Sequence, residues 1–148
     1  MNWIKARLIA LFVACLVSAG AGAQVASDSI TVTDAYVPAT PPGAPNGVAF
    51  MTLRNHSGTD SILVAANSSV SKVAELHGHE SHQGMMRMRR VAQVVVPAGG
   101  MVKLESGGLH MMLIGLQQDL RPHNRVAIGL VFSDGSELHI EAPVHGLR

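Results

Sequence analysis

Short β-branched runs, broken by turn signals every eight to twelve residues, constrain this chain more than any other feature. Strands are predicted over 29–37, 47–55, 61–66, 73–77, 85–91, 93–96, 101–104, 109–116, 125–132 and 137–143. Between them lie breakers: PATPPGAPN at 38–46, HSGTD at 56–60, PAGG at 97–100 and SDG at 133–135. No helical period lasts beyond about two turns. This pattern predicts a single all-β domain, a sandwich or barrel. Val126, Ile128, Leu130 and Phe132 share one parity and are expected to face the core. The closing strand is expected to bulge or to be buried on both faces. The polar stretch GHESHQG, 78–84, is expected to be a seven-residue loop. The proline-rich loop 38–46 is expected to be the most mobile segment.

Composition removes several functions. Apolar residues make up 47% of the 148-residue chain and charged residues 14%, too apolar for a disordered charged tail. A net charge of +1 gives no general attraction to nucleic acid, and 3% aromatic residues leave no base-stacking platform. The single cysteine, Cys15, cannot form an internal disulfide or a thiolate zinc knuckle.

The opening residues look like a secretory leader. Lys5 and Arg7 precede an apolar run, 8–17, and a small-residue ending, Ala21-Gly22-Ala23. Cleavage is expected before Gln24, giving a leader over 1–23 and one domain over 24–148. Attachment of lipid through Cys15 is disfavoured, since too little of the apolar run precedes it. The run is also shorter than the roughly 20 residues that cross a bilayer, and no membrane span is expected after processing. Processing removes Lys5, Arg7 and the cysteine, leaving a slightly acidic, thiol-free chain suited to an oxidising compartment.

Seven methionines remain, and six of them lie between 77 and 112: Met85, Met86, Met88, Met101, Met111 and Met112. His77, His79, His82 and His110 share that window. Thioether sulfur binds Mg²⁺ and Ca²⁺ poorly but suits Cu(I), and imidazole binds copper in either oxidation state. Alternation on a strand puts His110 and Met112 on one face and Met111 on the other. A hairpin from 73–77 to 85–91 brings His77 and Met88 to one end of the sheet. Met111, Met101 and Met51 read as core filler. Met85 and Met86 stay open between core and site mouth. His56, His123, His139 and His145 read as surface residues. Arg87, Arg89 and Arg90 form a small basic cluster that is either a solvated face or a dock for an acidic partner.

Written as a spacing, His77, Met88, His110 and Met112 give H-x10-M-x21-H-x-M. With Glu75-Leu76-His77 before it, MRMR at 86–89, VPAGG at 96–100 and GGLHMMLIGL at 107–116, the chain resembles the periplasmic copper chaperones of the PCuAC family. The resemblance spans residues 29–144. It implies a cupredoxin-like, Greek-key β-sandwich and Cu(I) held by His77, Met88, His110 and Met112. It also implies a periplasmic location, a monomer, and delivery of copper to an acceptor protein, a cytochrome c oxidase subunit or assembly factor. The loop histidines His79 and His82, with Met86, are candidates for a secondary site, including Cu(II).

Other classes fit less well. A blue-copper electron carrier needs a cysteine ligand that the processed chain lacks. No nucleophile elbow, His-Glu-x-x-His zinc motif or P-loop is present, so no enzyme is expected. Storage or detoxification of copper without delivery stands as the alternative.

Overall fold

A computed structural model describes residues 25–146. The expected leader over 1–23, with Cys15, lies outside the described residues. A one-turn helix, α1 (Ala26–Ser29), precedes ten strands. These are β1 (Ile30–Pro38), β2 (Asn46–Asn55), β3 (Ser61–Ser68), β4 (Ser71–His82) and β5 (Met85–Arg90). They continue as β6 (Val94–Val96), β7 (Met101–Leu104), β8 (His110–Leu116), β9 (Arg125–Phe132) and β10 (Glu137–His145). The all-β expectation holds. Among the described residues no helix is long and apolar enough to cross a membrane.

Hydrogen bonding runs in the order β5-β4-β8-β2-β1-β10-β9-β3-β6, and β7 pairs with β2. A further pairing of β3 with β4, at Ala66 opposite Ala74, closes the path on itself. Neighbouring strands are antiparallel except β1 and β10, which run parallel through Val37 and Pro38 against Val144 and His145. Closure removes most free edges. β5 stays outside the ring, hydrogen-bonded only through β4, with all six residues exposed.

The interior is filled by one side of each ring strand. Val126, Ile128, Leu130 and Phe132 are all buried, as their parity predicts. Met51, Leu53, Leu63, Leu104, Met111, Leu113 and Leu120 pack with them. Met51 and Met111 are core residues, as expected, but Met101 is not: it is 41% exposed on β7, paired beside Arg54. A thioether suits a core only where the strand turns it inward, and Met101 has the outward parity, with Leu104 buried three residues on.

Three further expectations need correction. β10 does not bulge: its register with β9 is unbroken from Glu137 to Pro143. Leu138, Ile140, Ala142 and Val144 alternate with more exposed neighbours, as a one-sided strand requires. The 38–46 segment is tied down rather than loose. Ala39 and Thr40 donate to the carbonyls of His145 and Leu120, and Gly43 donates to Asp119. Pro45 accepts from Leu116.

The third correction bears on the site. Residues 78–84 are not a loop. β4 continues to His82, and Gln83 and Gly84 alone make the turn. Both have positive φ, 50° and 77°, which is the two-residue type I′ geometry that matches strand twist. The hairpin extends past the core, so neither of its faces needs apolar residues, and its composition reads as loop.

Candidate metal centre

β4 lies between β5 and β8, so its outward face meets side chains from both neighbours. His77 pairs directly with His110 on β8 and with Arg90 on β5. Glu75 pairs with Met112, and His79 pairs with Met88. Alternation therefore puts Glu75, His77, His79, Met88, Arg90, His110 and Met112 on one face. Leu76, Met111 and Leu113 point the other way, into the core.

His77 is the hub. His110 stands directly across from it, and Met88 and Met112 are its two diagonal neighbours, at Cβ separations of about 7–8 Å or somewhat less. The two imidazoles are brought together, with ring centroids 5.9 Å apart. The two methionines are not neighbours of each other. They flank the histidine pair on opposite sides: Met88 is level with His79 and Met112 with Glu75, so they are separated by two strand spacings of about 4.8 Å and by four residues, about 13 Å, along the strands. Met88 is 50% exposed on the hairpin, whereas Met112 is half-buried.

Hydrogen bonds fix the tautomers. His77 Nε2 lies 3.0 Å from Glu75 Oε2. An ionised carboxylate only accepts, so Nε2 carries the proton and Nδ1 carries the lone pair. His110 Nδ1 lies 3.0 Å from the Gly108 carbonyl, so here Nδ1 donates and Nε2 carries the lone pair. Those two free nitrogens, His77 Nδ1 and His110 Nε2, are buried and have no hydrogen-bond partner. A buried, unpaired acceptor costs about 1–3 kcal/mol, and two of them one strand apart mark a place built for a ligand. Metal-binding histidines commonly donate their second N–H to a carboxylate or carbonyl, as both do here.

The Gly108 carbonyl is aimed by a tight loop. Glu105 N–H donates to Leu109 O and Gly108 N–H to Glu105 O, with Gly107 at φ 82°. The same carbonyl lies 3.2 Å from His79 Nδ1, and the His79 ring stands 5.4 Å from that of His110. Below the sheet, Gly78 leaves room for Leu109 and Val91, each 3.4 Å from where a Cβ would sit. Arg90 Nε reaches Glu75 Oε1 at 3.7 Å, and Arg89 Nε reaches Glu80 Oε2 at 3.2 Å, so part of the basic cluster is spent on neighbours.

The expected pairing of His79 with His82 does not form. They are three residues apart on one unbroken strand, so they project from opposite faces, and His82 pairs with Met85. Met86 shares the His79 face but is 62% exposed, opposite Ser81. Among the described residues no three His, Cys, Asp or Glu side chains already converge as a metal cage. Spacing could not reveal Glu75 and the Gly108 carbonyl as orienting groups, although Glu75 two residues before His77 carried the right parity.

Known proteins share this family and fold. The LpqE-like family profile matches residues 30–144. Lxx21020 of Leifsonia xyli subsp. xyli, which carries a lipoprotein name, is 32% identical over 134 residues, 88% of this chain and 80% of its own length. The solution structure of CuI-DR1885 from Deinococcus radiodurans is 35% identical, covering 84% of this chain and 82% of its own, with a TM-score of 0.65. The copper-bound PCuAC domain from PmoF2 superposes with a TM-score of 0.68 at 19% identity, over 83% of this chain and 97% of that one. That likeness shows a shared fold, the cupredoxin-like β-sandwich.

Proposed function

Since the chain belongs to the LpqE-like family and to the PCuAC-type copper chaperones, we propose that it carries Cu(I) on His77, Met88, His110 and Met112. It is a copper-binding chaperone rather than an enzyme, and it works outside the cytoplasm, consistent with its lipoprotein relatives. The observation that carries the site is the pair of buried, unpartnered ring nitrogens on facing strands.

Two neutral imidazoles supply directed nitrogen lone pairs, and two thioethers supply soft, uncharged sulfur. Such a set holds Cu(I) without adding charge to the ion and yields it to a thiolate, which is softer and anionic. Exposure of Met88 gives an incoming acceptor one ligand to displace first. Delivery to a cytochrome c oxidase subunit or assembly factor fits this chemistry. Storage without delivery is the alternative, and transfer to an apo acceptor at micromolar concentration separates the two.

The test is anaerobic Cu(I) titration against a strong chelator. One tight Cu(I) per chain is expected, weakened many-fold by Met88→Leu and by His110→Ala. Unchanged affinity in both variants rejects the site. Residues 1–23 are read as the leader; mass spectrometry of the exported protein should find Gln24 first, and a lipid on Cys15 would overturn that reading.

A further inference from the structure

His79 stands outside the H-x10-M-x21-H-x-M spacing, yet the fold brings it onto the same face and against His110. Its Nδ1 donates to the carbonyl that also orients His110, because a carbonyl only accepts. His79 therefore has the same tautomer as His110, with its lone pair on Nε2. Three imidazoles thus gather on one patch, each with one nitrogen free: Nδ1 of His77 and Nε2 of His79 and His110. His82, the other hairpin histidine, is on the opposite face.

Resting on the proposed function, we infer that His79 is the third imidazole of a Cu(II) site built on His77 and His110. Cu(II) favours nitrogen and oxygen donors in a tetragonal arrangement and has little use for thioether. The patch supplies three imidazoles, with the Glu75 carboxylate beside them. The two oxidation states then share His77 and His110 and differ in their remaining ligands. Cu(I) uses the flanking thioethers of Met88 and Met112, whereas Cu(II) uses His79.

One movement is required, since the three nitrogens do not yet converge. His79 is held by a single 3.2 Å bond, at the long end for N–H···O, on a hairpin that projects beyond the core. Rotation about its side-chain bonds turns Nε2 toward the other two nitrogens without disturbing the strand ladder.

The experiment compares Cu(I) and Cu(II) binding in wild type, His79→Gln, His82→Gln and Met88→Leu. The glutamine at 79 keeps a donor for the Gly108 carbonyl but removes the imidazole. Cu(II) affinity should fall at least tenfold in His79→Gln, and pulsed EPR should count three coupled imidazoles in wild type and two in the variant. Cu(I) affinity of that variant should change less than threefold. Met88→Leu should show the reverse selectivity, and His82→Gln should match wild type in both. Unchanged Cu(II) affinity and imidazole count in His79→Gln overturns the inference. So does an equal loss in both oxidation states, or a loss in His82→Gln as large as in His79→Gln. A wild-type Cu(I) affinity insensitive to Met88→Leu and His110→Ala instead rejects the proposed chaperone site, and it is read independently of the Cu(II) arms.

Discussion

His77 and His110 face each other across β4 and β8 in opposite tautomers, one presenting Nδ1 and the other Nε2. The difference arises from what each ring leans on: a carboxylate two residues back on its own strand, or a carbonyl in the preceding loop. Glu75 and the Gly108 carbonyl thus decide which nitrogen each ring leaves free.

Glu75 is the first such group to test. Glu75→Gln keeps a side chain of the same length but no longer guarantees an acceptor toward His77 Nε2. Cu(I) affinity should drop roughly 10–100-fold, the usual cost of losing an orienting partner. Nitrogen NMR of the metal-free variant should show His77 shifting toward a mixture of tautomers while the unfolding midpoint stays put. An unchanged tautomer with reduced affinity would argue against orientation as the cause.

Peroxide should distinguish the methionines. Met85, Met86 and Met88 are 55%, 62% and 50% exposed, and exposed thioethers oxidise to sulfoxide. Loading with Cu(I) should protect Met88 severalfold in a peptide-mapping experiment and leave Met85 as reactive as before. Met111, fully buried, should resist in both states.

Stability should separate two methionines that look alike in sequence. Met111→Ala removes a fully buried side chain beside Leu76 in the ring interior and should cost about 2–5 kcal/mol in denaturant unfolding. Met101→Ala removes an exposed one and should stay within about 0.5 kcal/mol.

Acid should loosen the ties around the ring. The Asp119 carboxyl is held below its ordinary value by the Gly43 N–H and then by Arg121. Asp134 is held below it by the Ser136 hydroxyl and then by the Ala26 N–H. A folded pKa below the unfolded one means that the unfolded chain takes up the proton first. Their contribution is therefore present above the usual carboxylate range, near 3.9, and is lost as pH falls through the lower folded values. Urea unfolding at pH 6 and pH 3 should show a shallower acid loss in Asp119→Asn and Asp134→Asn than in wild type. Equal losses would place the acid sensitivity elsewhere.

Much of the ring was legible because its strands obey one rule: one face inside, one outside. Strands β7 and β9 fall at the predicted boundaries, and Val126 to Phe132 reads correctly by parity alone. The β4–β5 hairpin was not legible, since a strand with no core beneath it carries no apolar alternation. Helix α1 is a single turn, too short to show a period. The spacing of the four proposed ligands stood in the sequence. The Gly108 carbonyl did not, because any residue supplies one and only the loop decides where it points. Reading His79 as a loop residue hid its neighbour His110, which becomes visible only in the strand register.

The hairpin that carries Met88 lies outside the closed ring, with its whole outer strand in solvent. Its residues answer to the cargo and to whatever receives it, hardly at all to the barrel's integrity. Substitution there can retune how strongly copper is gripped, or which oxidation state is preferred, while the protein goes on folding as before. Diversity among relatives should concentrate on that arm, and so should any attempt to redesign the protein for a different metal.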